Sequence, residues 1–162
     1  MRRREFIGLL GGATAWPLMA RAQRPKHVRR IGVLRGLTAD DPESALRIAA
    51  FTKGLRELGW AEGRNVHIAN RWAGGNTEDL RKFASELVAQ TPDVLLASDA
   101  PTLASLLQAT SNLPIVFVNV TDPLGAGFVK SLARPGGNAT GFMRGAIRGI
   151  VHWSRYHPDQ RP

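Results

Sequence analysis

Residues 114–123, P-I-V-F-V-N-V-T-D-P, carry an unbroken apolar run that turns polar at its end. Ile115, Val116, Phe117 and Val118 are β-branched or aromatic and continuous, not alternating, as expected of a strand covered on both faces of a parallel sheet. The run is therefore expected to be a central strand. Asn119, Thr121 and Asp122 gather donors and acceptors where that strand ends, and Pro123 blocks its continuation by lacking an N–H. Ligands of open parallel sheets sit outside the carboxyl ends of the strands, which makes this polar tip the first candidate site.

The rest of the chain repeats the alternation. Residues 28–34 read as a first strand with the polar tip Arg35, Gly36, Leu37 and Thr38. Asp40 or Asp41 can cap the helix that follows, with Pro42 at a first helical position and Glu43 in the first turn. Ala45, Ile48, Ala49, Phe51, Thr52, Leu55 and Leu58 recur at spacings of three and four, one apolar face of a helix that stops at Gly59. Val66–Trp72 alternates enough for a strand nearer an edge, on which Trp72 reads as covering a helix end in preference to stacking on a ligand. A second helix opens with Thr77 as candidate cap, buries Leu80, Phe83, Ala84, Leu87 and Val88, and closes at Thr91 and Pro92.

Residues 93–98 give a short buried strand, and Leu103, Leu106, Leu107 and Ala109 a third helix. A fourth helix is expected over 124–132, and a fifth strand over 139–143 after the turn R-P-G-G-N. Short strands alternating with helices predict α/β architecture: a doubly wound parallel sheet with right-handed crossovers, Rossmann-like. The pattern degrades after Met143, and residues 146–162 are expected to form a divergent, loosely ordered tail behind a lobe spanning 23–145.

The N-terminus changes the picture. Arg2, Arg3 and Arg4 precede an apolar, Gly-rich stretch and the small-x-small sequence Ala20-Arg21-Ala22, the grammar of a signal peptide over 1–22 cleaved after Ala22. The apolar stretch is too short to span a bilayer, and Arg3-Arg4-Glu5-Phe6-Ile7 resembles a twin-arginine export signal, which implies a periplasmic destination. Removing Arg2, Arg3, Arg4 and Arg21 together with Glu5 lowers the formal net charge from +9 to +6. The remaining basic residues are spread along the chain, which argues against nucleic-acid or anionic-lipid binding. The chain has no cysteine, which excludes disulfides and thiolate metal sites.

Candidate ligand-binding residues fall at the strand tips: Arg35, Gly36 and Thr38 after the first strand, Ser98, Asp99 and Thr102 after the third, and Asn119, Thr121 and Asp122 after the fourth. Each has a plain competing role, because hydroxyls and carboxylates at these positions also cap helices. R-P-G-G-N lacks the Lys-Ser/Thr of a phosphate loop, and the four histidines have no partners at metal-ligand spacing. With neither a nucleophile elbow nor a Ser-His-Asp set, the residues favour ligand binding over catalysis, and they imply neither cofactor nor metal. A stand-alone flavodoxin-like exported enzyme or sensor, with Asp122 as an acid or base, is the alternative.

The leader R-R-R-E-F-I-G-L-L-G-G, the helix end G-L-R-E-L-G-W-x-E-G-R-N-V and above all P-I-V-F-V-N-V-T-D-P-x-G-A-G-F-V-x-S-L-A-R-P-G-G-N-A-T-G-F resemble the exported substrate-binding proteins of ABC-type uptake transporters. The resemblance is to the tryptophan or tyrosine transport-like subgroup and runs from Met1 to about Phe142. It implies a type I periplasmic binding protein, with two Rossmann-like lobes around a cleft, that delivers an amino-acid-like or small organic ligand to a permease and meets the membrane only through that permease. It further implies that Asp122 and its neighbours face the cleft. Proteins of this family continue past T-G-F into a hinge and a second lobe, whereas this chain continues Met143-Arg144-Gly145-Ala146 into an unrelated or frameshifted ending. The resemblance therefore implies a first lobe with impaired ligand clamping.

Overall fold

The computed structural model describes residues 28–131 and 133–144 of the 162 in the chain. The leader expected over 1–22, the polar residues 23–27 and the tail expected over 146–162 lie outside the described residues.

Strands β1 (Arg29–Arg35), β2 (Val66–Trp72), β3 (Val94–Ala97), β4 (Ile115–Val120) and β5 (Ala139–Met143) alternate with helices α1 (Pro42–Glu57), α2 (Thr77–Ala89) and α3 (Ala100–Ala109). The strands form one parallel sheet in the order β2-β1-β3-β4-β5. Phe117 pairs with Ala97 on one side and Gly141 on the other, so β4 is interior as its apolar run predicts, although β3 occupies the middle. The chain moves one way from β1 to β2 and the other way from β2 through β3 to β5. Right-handed crossovers then place α1 on one face of the sheet and α2 with α3 on the opposite face.

The α2/α3 face holds the densest packing. Leu34, Leu95, Ala97, Ile115 and Phe117 meet Leu80, Ala84, Leu87, Leu103 and Leu106 in one buried cluster. Gly32 belongs to this face, since a Cβ there would lie 2.8 Å from a methyl of Leu95 and 3.3 Å from one of Leu87. The α1 face is looser. Ile31, Val94, Leu96, Val116 and Val118 are only half-buried, and Phe142 is 74% exposed.

Three expectations need correction. Helix α1 forms where predicted, capped by Asp41, but its apolar face is not buried throughout. Ala45 and Ala49 are exposed, and Leu58 is the C-cap residue, past the last helical turn and 77% exposed. The cap of α2 is Asn76, not Thr77: its side chain accepts from the backbone N–H groups of Glu78 and Asp79. Residues 124–127 form a turn and 128–131 an irregular stretch, not a helix. The N–H groups of Ala126, Gly127 and Phe128 reach back to the carbonyls of Asp122, Leu124 and Pro123, a mixed spacing that builds no helical ladder, and Gly127 at φ 72° turns the chain left-handed.

Candidate functional site

In a parallel sheet every strand ends on the same edge, so the tips of β1, β3 and β4 share one rim. Ser98 and Asp122 both stand on it, each just past the carboxyl end of its strand. The order β2-β1-β3 puts the reversal of winding between β1 and β3, the point where the two crossovers leave in opposite directions and open a crevice.

The structure ties the two tips together at that reversal. The Gly36 N–H donates to Ser98 Oγ at 3.0 Å, and the Ser98 hydroxyl donates to Asp99 Oδ2 at 3.0 Å. Asp99 also caps α3: its Oδ1 accepts from the Thr102 N–H at 3.0 Å while Thr102 Oγ1 accepts from the Asp99 N–H at 3.1 Å. This reciprocal box satisfies donors that the first turn of a helix leaves unpaired. Gly36 is required by contact, because a Cβ there would run into the Asp99 carboxylate.

Of the candidates from the sequence, Gly36, Ser98, Asp99 and Thr102 are thus brought into one connected network. Thr102 is wholly buried with its hydroxyl engaged in the box, so it presents no surface to a ligand and its role is to hold Asp99. Thr38 lies apart on the exposed β1–α1 loop, its methyl side against Gly74. Its hydroxyl, and then the backbone N–H of Asp40, hold the Asp40 carboxyl below its ordinary value.

On β4, Asn119 has φ 59°, within an irregularity of the β4–β5 pairing between Phe117 and Val120. Asparagine tolerates this left-handed conformation better than a branched residue, and such an irregularity re-aims side chains at a rim. Thr121 is exposed. Asp122, also exposed, accepts from the Gly125 N–H at 2.8 Å and so closes the following turn. No hydrogen bond among the described residues joins Asp122 to the Gly36–Ser98–Asp99 network.

Arg35 ends β1 with only 6% of its surface exposed. Its Nε donates to Asn70 Oδ1 at 3.1 Å, while its Nη2 is buried without a partner among the described residues. Burial first, and the nearby charge of Arg47 second, lower its pKa from the ordinary arginine value. Ser44 and Trp72, which the sequence left out of the site, each bury a polar atom that likewise has no partner among the described residues. Ser44 carried no signal, since it reads as an ordinary first-turn residue of α1.

A larger void of about 320 Å³ lies on the other edge of the sheet, among Ile31, Leu55, Trp60, Val66 and Val94, beside the Arg29–Asp93 ion pair. Its lining is mainly apolar. It reflects the loose seating of α1, and the polar groups converge on the opposite rim. Among the described residues no three His, Asp or Glu side chains cluster in a way that could hold a metal, and no helix is long and apolar enough to cross a membrane.

Residues 36–146 match the family model for "ABC transporter substrate binding protein". A tyrosine-binding protein of Clostridioides difficile (strain R20291) is 36% identical over 91 residues, 56% of this chain and 26% of that protein. Among solved structures, an ABC domain from Streptococcus pneumoniae in complex with L-Trp has a TM-score of 0.66 at 32% identity, covering 71% of this chain and 38% of the other. The ligand-free, open structure of a substrate binding protein with adhesive properties from Clostridium difficile has a TM-score of 0.67 at 26% identity, covering 82% and 45%. The chain thus spans about a quarter of the curated relative and less than half of these two solved chains. Its parallel α/β lobe is that of a type I periplasmic binding protein, and the chain belongs to the family of ABC transporter substrate binding proteins.

Proposed function

We propose that the chain is a first, ligand-facing lobe of an extracytoplasmic solute-binding protein that serves an ABC uptake permease. It binds an amino-acid-like molecule and performs no chemistry on it. The observation that carries this reading is the Gly36–Ser98–Asp99 network at the β1/β3 reversal, which fixes the Asp99 carboxylate at the rim beside the N-terminus of α3. A zwitterion needs an acceptor for its ammonium, and the Asp99 oxygens, each accepting one hydrogen bond, keep lone pairs for it. The L-Trp held by the pneumococcal relative and the tyrosine named for the clostridial one make aromatic amino acids the first ligands to test. The leader over 1–22 supports export by the twin-arginine route, with a mature chain that begins at Gln23 in the periplasm.

A lobe that closes on its ligand from one side binds more weakly than two lobes hinged over it. Titrating the isotope-labelled chain with L-tryptophan or L-tyrosine tests the reading. The amide resonances of Gly36, Ser98 and Asp99 are expected to shift saturably in the millimolar range, with no more than about 1 kcal/mol of ligand stabilisation. Shifts confined to the void around Trp60, or no saturable shift with either amino acid, would overturn it.

A further inference from the structure

Three buried polar atoms lack partners among the described residues: Arg35 Nη2, Ser44 Oγ and Trp72 Nε1. Arg35 and Ser44 line one void, and Trp72 stands next to Arg35 in the sheet. Arg35 and Trp72 are register partners at the carboxyl ends of β1 and β2 and share the α1 face of the sheet, while Ser44 sits in the first turn of α1. Arginine and tryptophan side chains carry donors only, so what these two lack is an acceptor. Arg35, Leu37, Ser44, Arg47 and Ser98 also line a void of about 10 Å³, room for about one oxygen-sized atom.

The charges around the void have one sign. Arg35 and Arg47 both line it, and no carboxylate among the described residues does. Arg47 is paired to Glu43 at 2.6 Å on the exposed side of α1, whereas among the described residues Arg35 has only the neutral Asn70 amide. A buried cation without a counter-charge is costly unless something anionic completes its environment.

We propose that Arg35, with Ser44 beside it, forms an anion subsite that takes one oxygen of a carboxylate, and that Arg35 is the residue that selects for a carboxylate-bearing ligand. The source of that carboxylate is the α-carboxyl group of the amino acid, so this part rests on the function proposed above. A free small carboxylate has the same chemistry and serves as the independent probe.

The test titrates the labelled full chain with sodium formate at constant ionic strength, and with formamide, which has formate's shape without its charge. The Arg35 Nε–Hε resonance is expected to move saturably with formate and not with formamide, while that of Arg81, exposed on α2, does not saturate with either. No saturable movement of Arg35 overturns the subsite, even if L-tryptophan binds elsewhere on the rim.

A second arm compares L-tryptophan with L-tryptophanamide. A charge-assisted hydrogen bond lost on amidation should weaken binding about tenfold. That ratio is expected to fall to about one in Arg35→Met, which keeps the apolar stem, and to persist in Arg81→Met. If Arg35→Met does not fold, the formate titration of the wild-type chain decides alone. Formate binding without binding of either amino-acid compound upholds the subsite and removes the amino-acid reading. Equal binding of acid and amide upholds that reading and removes Arg35 as its selector.

Discussion

The backbone N–H of Gly36, just beyond β1, donates to the Ser98 hydroxyl, just beyond β3, at 3.0 Å, and so closes the sheet's point of reversal across its rim. Ser98 is 7% exposed, so removing its hydroxyl leaves a backbone donor with little access to water. Ser98→Ala is expected to lower stability by about 1–3 kcal/mol. Chemical denaturation measures this directly. Ser111→Ala, whose hydroxyl donates to the exposed Asn112 side chain, should change it by no more than about 0.5 kcal/mol.

Gly36→Ala tests the other side of the same contact. The added methyl would meet the Asp99 carboxylate, which Ser98 and Thr102 both hold in place. The expected cost is about 1–3 kcal/mol, the usual range for inserting a carbon where there is no room. Combining it with Asp99→Ala should cost less than the sum of the two single changes, by at least about 0.5 kcal/mol. Strict additivity in that cycle would show that the carboxylate does not occupy the space beside Gly36.

The two residues at the start of α2 separate a true cap from a neighbour of the same chemical type. The Asn76 side chain satisfies two backbone donors, at 2.8 and 3.2 Å, whereas Thr77 is the first helical residue and exposed. Asn76→Ala is expected to cost about 1 kcal/mol and Thr77→Ala no more than a few tenths, read from midpoints of thermal or denaturant unfolding. The reverse ranking would restore Thr77 as the cap.

The pair Phe117 and Leu58 shows how far the apolar pattern was legible. Phe117 lies in an unbroken β-branched and aromatic run, the pattern expected of an interior strand, and it is fully buried inside the sheet, although Val116 and Val118 on the other face are only half-buried. Leu58 continued the helical spacing of α1, but spacing says which way a side chain points and not whether anything lies there to cover it. Phe117→Ala should cost about 3–5 kcal/mol and Leu58→Ala less than about 0.5 kcal/mol. The site divides in the same way. Ser98 and Asp99 were legible because a tip before a helix is a local feature. The unpaired atoms of Ser44 and Trp72 were not, because they depend on which tips the sheet order sets side by side. The helix expected over 124–132 failed for a local reason that competing apolar spacing hid: Asp122 and Gly127 favour turns.

Export gives the last prediction, and the chemistry of arginine makes it decisive. A general secretory leader needs positive charge before its apolar core and accepts lysine in that role. Recognition of a paired guanidinium motif depends on the planar fork that lysine lacks. Changing Arg3→Lys together with Arg4→Lys leaves charge, length and the Gly-rich core of the leader intact. The expected result is retention inside the cell, uncleaved, while the unaltered chain is recovered outside the cytoplasm with Gln23 as its first residue. Mass spectrometry of both fractions distinguishes the outcomes. Undiminished export of the double variant, still cleaved after Ala22, would reassign the leader to the general route while leaving the extracytoplasmic destination in place.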